Sequence, residues 1–146
     1  MRVLASAMVL LLAASGHAAA QERFVSRLKL PTGTTAVVAE GDFEARSIGS
    51  FSVRLYEAAA VPDETTFFTS GLIRARDGTV EKVILADVDG DRQQEIIVVV
   101  RSAGSGGYLS AHAFAVAKDQ LRFHSVVDGL PADADPVAAL RQSRKR

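Results

Sequence analysis

The 146-residue chain contains no cysteine. That excludes disulfides, thiol nucleophiles, cysteine-based metal sites and thiol redox motifs together, and it leaves apolar burial as the source of stability. Net charge is also missing, because 17 Lys and Arg balance 17 Asp and Glu. A nucleic-acid partner usually needs a basic face, so this balance argues against one. No apolar run reaches the ~20 residues of a comfortable membrane helix. The longest, over residues 3–14, lies at the N-terminus.

That run has the organisation of a secretory leader. Arg2 supplies a positive start, residues 3–14 an apolar middle, and Ala18, Ala19 and Ala20 a small-residue cleavage site. Cleavage after Ala20 is expected, with an exported product and the bacterial periplasm as its compartment. Residues 21–146 then carry 16 basic against 17 acidic groups, a formal charge of −1. A chain of this length supports one domain with one apolar core.

Beyond the leader the sequence reads as short strands punctuated by turns. Residues 24–30 alternate and stop at Pro31, Thr32 and Gly33, and residues 35–39 form a second strand ended by Glu40, Gly41 and Asp42. Phe51, Val53 and Leu55 share one face and Ser52, Arg54 and Tyr56 the other, which is the period of a half-buried strand. Pro62, Asp63 and Glu64 break the chain before a fourth strand expected over residues 66–74. Asp77-Gly78 is a two-residue hairpin signal leading to a strand over 79–86. Residues 95–101 hold Ile96, Ile97, Val98, Val99 and Val100 and suit a strand covered on both faces. Strands over 109–117 and 121–127 complete the set, joined by a turn at Lys118 and Asp119. About eight such strands indicate an all-β, antiparallel sandwich (a barrel being the related alternative). Asp135-Pro136 could open a short C-terminal helix over 137–142, followed by a fraying basic tail at Ser143, Arg144, Lys145 and Arg146.

The chemistry concentrates in two loops. The first runs from residue 102 to residue 108 as Ser102, Ala103, Gly104, Ser105, Gly106, Gly107 and Tyr108. Its glycines permit a narrow profile. Ser105 and Tyr108 are three apart, so a hydroxyl and a phenol can both project at the tip, where tyrosine is a rigid contact with little rotamer entropy to lose. The bland alternative is a flexible hairpin whose tyrosine begins the next strand. A serine-hydrolase elbow needs Gly-x-Ser-x-Gly, and Ala103 stands where the first glycine belongs. His112 and His124 could supply a base, but His112 alternates with Phe114 and Val116 as an ordinary strand residue. Gly-x-x-x-x-Gly-Lys is missing, which removes a phosphate loop.

The second loop holds Asp87, Asp89, Asp91 and Glu95 at alternating spacing, a pattern like the calcium loops of integrin-type propeller repeats. Arg92 takes the place where such loops carry a glycine, and a solvated acidic hairpin is the plain alternative. The stretch Glu40, Gly41, Asp42, Phe43, Glu44 reads as an exposed acidic turn, since one sequence cannot set two carboxylates across a glycosidase cleft.

Taken together, several runs resemble the family of periplasmic inhibitors of invertebrate-type lysozyme. They are residues 40–44, 46–50, the Ser52-Val53-Arg54-Leu55-Tyr56 strand, residues 87–91 and the loop 102–108. The resemblance covers about residues 28–127. It implies an exported β-sandwich inhibitor, often a homodimer, that is not an enzyme and protects peptidoglycan against host lysozyme. It implies that a loop led by Ser105 and Tyr108, shaped by Gly104, Gly106, Gly107 and Ser102, enters the lysozyme cleft. It assigns no role to His112 or His124, no cofactor, and no metal to Asp87, Asp89, Asp91 and Glu95. A calcium-stabilised exported binding module and, further off, a hydrolase using Ser105 remain the other readings.

Overall fold

The computed structural model describes residues 22–61 and 65–145. The expected leader, the break at Pro62, Asp63 and Glu64, and the terminal Arg146 lie outside the described residues. In chain order the strands are β1 Val25–Lys29, β2 Thr35–Glu40, β3 Ile48–Tyr56, β4 Phe68–Asp77, β5 Thr79–Ala86, β6 Glu95–Arg101, β7 Leu109–Ala117 and β8 Gln120–Leu130, followed by α1 Pro136–Ser143. They form two four-stranded sheets, ordered β1-β2-β3-β4 and β5-β6-β7-β8, and every pairing is antiparallel. The expected sandwich is therefore present. No described helix is long and apolar enough to cross a membrane.

Alternation builds the layers. Ala36, Val38, Phe51, Val53 and Leu55 from the first sheet meet Val80, Ile96, Val98, Val100 and Phe114 from the second. Phe51 and Phe114 pack edge to face at 6.1 Å. The opposite face of the second sheet carries Ile97, Val99, Leu109, Ala111 and Ala113, which α1 covers through Leu140. This double cover explains why β6 is apolar at consecutive positions, as its sequence suggested. Asp135 caps α1 by accepting from the amides of Val137 and Ala138. The helix begins at Pro136, and the tail beyond it is held at Arg144, whose guanidinium donates to the Asp89 carbonyl.

Two sequence expectations need correction. Asp77-Gly78 does not close a hairpin, because β4 pairs with β3 and β5 pairs with β6 in the other sheet. A type I′ hairpin needs positive φ at both central residues, and here only Gly78 has it, at 114°. Gly78 carries the chain from sheet to sheet. Its amide donates to the Ser47 carbonyl at 2.8 Å, and a Cβ there would strike the Arg101 carbonyl.

The acidic turn is the second correction, because two of its carboxylates are structural. Glu40 is buried, and its Oε1 accepts from the Val80 amide at 2.7 Å, tying the two sheets together. Glu44 folds back onto β3, accepting from the Ser50 amide at 2.5 Å and the Ser50 hydroxyl at 2.7 Å. The Ser50 amide, then its hydroxyl, and the nearby Arg76 and Arg23 charges hold the Glu44 carboxyl below its ordinary range.

Arg76 completes this end of the sandwich. Buried on β4, it donates from Nε to the Ser50 carbonyl (2.9 Å), from Nη1 to those of Arg46 (2.8 Å) and Gly78 (2.5 Å), and from Nη2 to that of Ala45 (3.0 Å). Arg76→Met removes four hydrogen bonds at once and takes the donor from the buried Gly78 carbonyl, while the Ser50 carbonyl keeps the Gly41 amide and the Ala45 carbonyl keeps Arg23. We expect it to lower the free energy of unfolding in urea by about 3–5 kcal/mol. A loss below ~1 kcal/mol, the scale of an exposed pair, would contradict this role.

Candidate functional site

The loop between β6 and β7 leaves from the same end of the sandwich. Its base is closed by the Ser102 amide donating to the Tyr108 carbonyl at 2.8 Å, and Arg101 Nη1 donates to the Gly107 carbonyl at 2.8 Å. Arg101 is itself paired with Glu81 on β5. Within the loop the Gly107 amide reaches the Gly104 carbonyl, a turn with Ser105 and Gly106 at its corner, and the Ser102 hydroxyl accepts from the Gly104 amide. Gly107 has φ 57°, a conformation that favours glycine. The Tyr108 ring lies against Gly106 so closely that a Cβ there would overlap it. The outcome is a pinned base and a tip in water: Ser105 is exposed and Tyr108 is 55% exposed. All six loop residues singled out from the sequence are thus brought together on one short projection.

A groove of about 600 Å³ runs beside this projection. The loop and β7 contribute Ser102, Tyr108 and Ser110, while Ile48 and Gly49 from β3 and Arg76 from β4 contribute the other side. His112 also lines it. The imidazole is buried, meets Phe51 edge-on at 5.3 Å, and has Nε2 3.3 Å from the Ser110 hydroxyl. Burial pushes its pKa below the ordinary 6.5, Asp128 pulls it up, and Arg74 pushes it down. His112 is therefore a buried strand residue packed on Phe51. His124 is occupied with the Ser125 hydroxyl at 2.8 Å and the Asp89 carboxylate at 3.5 Å. Neither forms a base for Ser105, which removes the hydrolase reading on geometry.

The acidic loop between β5 and β6 sits by α1. Asp87, Asp89 and Glu95 each bring one carboxylate oxygen within 4.8 Å of the others, but Asp91 is outside this group. Asp91 accepts from the Gln93 amide instead. Asp87 accepts from the amides of Gly90, Arg92 and Asp89, the Gly90 bond doing most to hold its carboxyl below the ordinary range. Glu95 is buried and accepts from the Val88 amide, and burial pushes its carboxyl up. Arg92 adopts φ 72° itself, so the glycine that seemed to be missing is not required for this turn. Arg141 donates to the Asp87 carbonyl at 3.0 and 2.8 Å, and Arg144 lies 3.5 Å from Asp89 Oδ2. An ion that takes 6–8 oxygens would have to share the Asp87 carboxylate with three amides and the Asp89 carboxylate with Arg144 and His124.

Sequence reading missed Glu40, Glu44 and Arg76, which build the end from which the loop projects. A buried-strand register for β4 would have marked Arg76 as a charge facing inward.

Fold and site together define a binding protein that presents a rigidly based loop on a β-sandwich. A family model described as the periplasmic lysozyme inhibitor of I-type lysozyme matches residues 22–144. The chain belongs to that family, whose members are inhibitors and not enzymes. The crystal structure of the periplasmic I-type lysozyme inhibitor from Aeromonas hydrophila is 42% identical, covers 80% of this chain and 98% of that one, and superposes with a TM-score of 0.75. The Aeromonas hydrophila inhibitor in complex with Meretrix lusoria lysozyme is 41% identical, with 84% and 99% coverage and a TM-score of 0.76. No curated protein matches the chain.

The acidic loop yields a direct test. Millimolar calcium is expected to move the melting temperature by less than about 1 °C, and a saturable rise of several degrees would support a calcium-stabilised module instead.

Proposed function

We propose that this chain inhibits an I-type lysozyme by inserting the loop 102–108 into the enzyme's cleft. The observation that carries this reading is the family match over residues 22–144 in a chain whose Ser105 and Tyr108 stand free at a pinned tip. A lysozyme cleft holds two carboxyl groups, one kept protonated as the general acid. The Ser105 hydroxyl can donate to the ionised carboxylate or accept from the protonated acid. The Tyr108 ring, with its phenolic hydroxyl, suits a neighbouring sugar subsite.

One hydrogen bond to a charged group is worth ~1.5–3 kcal/mol, too little for tight inhibition by itself. The aromatic ring and the surrounding loop edges must bury area, and the pinned base limits the ordering cost on binding. Export to the periplasm accords with the family's description and with the leader over residues 1–20.

A homodimer, implied by the resemblance, would fit the open face of the first sheet. There Val25 and Ile73 lie in one row with Ala39 and Ser52 between them, and both end residues are exposed. Sedimentation equilibrium of the mature chain is expected to give twice the chain mass, lost on Ile73→Lys; a monomer at all concentrations would overturn this.

Inhibition titrations test the main reading. Tyr108→Ala is expected to weaken inhibition by about 2–4 kcal/mol, or ~30–1000-fold. Ser105→Ala is expected to cost about 1–2 kcal/mol. Gly106→Ala removes no side chain but displaces the Tyr108 ring, and falls between them. All three should melt within ~2 °C of the parent, being exposed-site changes. Unchanged potency across the series would remove the loop from the mechanism.

A further inference from the structure

We propose that Phe43 is a second anchor for the lysozyme, docking on apolar surface at the rim of the cleft that receives Tyr108. This rests on the preceding reading that the lysozyme meets this end of the molecule. Single apolar side chains on a surface are ordinary. Phe43 is not ordinary in two respects. Its accessibility is 105% of the reference value, so the whole ring stands in water. Its backbone also has φ 61°, a region that favours glycine and is an outlier for a bulky residue. Such a conformation persists only where its surroundings over-determine it, and strain of this kind clusters at ligand contacts.

The surroundings do over-determine it. Immediately after Phe43, the Glu44 carbonyl accepts from Arg23, and the Glu44 carboxylate is fastened to Ser50. The next two carbonyls, of Ala45 and Arg46, accept from the buried Arg76. Arg46 in turn donates to the Glu22 carbonyl at 3.1 Å. The backbone that carries the ring is thus fixed from Glu44 onward, which limits the ordering cost of docking.

Position links this ring to the inhibitory loop. Ser47 accepts from the Gly78 amide, and Gly78 lies against Arg101 and Ser102 at the root of the 102–108 loop. Ile48, 63% exposed, and Tyr108 line the same groove. Phe43, Ile48 and Tyr108 are therefore three exposed apolar groups at one end of the sandwich. Phenylalanine has no polar handle, so its partner surface is apolar: the rim of a sugar-binding cleft and not its catalytic carboxyls.

The test titrates Phe43→Ala, Phe43→Gly, Phe43→Tyr and, separately, Tyr108→Ala against an I-type lysozyme. Phe43→Ala is expected to weaken inhibition ~10–100-fold, mainly through faster dissociation, with an unchanged melting temperature. Phe43→Gly should lose as much inhibition while melting no lower than the parent, because glycine accepts φ 61° without strain. Phe43→Tyr keeps the ring and should retain inhibition. Potency of Phe43→Ala and Phe43→Gly within twofold of the parent, alongside a large loss for Tyr108→Ala, overturns this inference alone. No loss in Tyr108→Ala either would instead overturn the underlying reading.

Discussion

The buried guanidinium of Arg76 is the constraint on which the working end of this molecule depends. It collects carbonyls from β3, from the β2–β3 loop and from the sheet-to-sheet crossover at Gly78. A planar fork with five N–H donors can serve such a set, whereas a lysine ammonium with three donors on a single nitrogen cannot span it. Because Gly78 abuts Arg101 and Ser102, fixing the crossover also fixes the root of the 102–108 loop. One side chain thus connects the two loops that face outward.

The second sheet combines the deepest burial with the loop that projects into water. The second sheet is covered on both faces, by the sandwich core and by α1, and it carries the 102–108 loop on its most deeply buried strand, β6. Arg101, at the end of that strand, braces the loop through Glu81 and the Gly107 carbonyl. The acidic loop at the other end of β6 fastens the C-terminal segment through its backbone, the Asp87 carbonyl accepting from Arg141 and the Asp89 carbonyl from Arg144, at the end opposite the 102–108 loop. A loop grown from such a base has little backbone entropy left to lose, which is what the proposed docking requires.

Much of this was legible in the sequence, for reasons that differ by residue. The alternation of Phe51, Val53 and Leu55 and the unbroken apolar run of β6 gave their own burial, because side-chain period reports which faces are covered. Ser105 and Tyr108 stood out as candidates because glycines surround them, and the structure places both exposed on one projection. Asp77-Gly78 misled, since a dipeptide reports a sharp change of direction but not whether the next strand joins the same sheet. Glu40 and Glu44 were unreadable because their partners lie 40 and 6 residues away along the chain, and for Arg76 the register of β4 marks an inward charge but not the three carbonyls 26–31 residues back that it serves. An acid beside Gly41 looks solvated until its partner is known. Phe43 gave no signal at all, as aromatic residues carry no preference for the left-handed region.

The most direct measurement is amide hydrogen–deuterium exchange of this chain, free and bound to an I-type lysozyme. The account requires exchange to slow on binding across residues 102–108 and 41–48, at one end of the sandwich, while α1 and residues 87–95 keep their free rates. Protection confined to α1 and the acidic loop, with residues 102–108 exchanging as in the free protein, would contradict it.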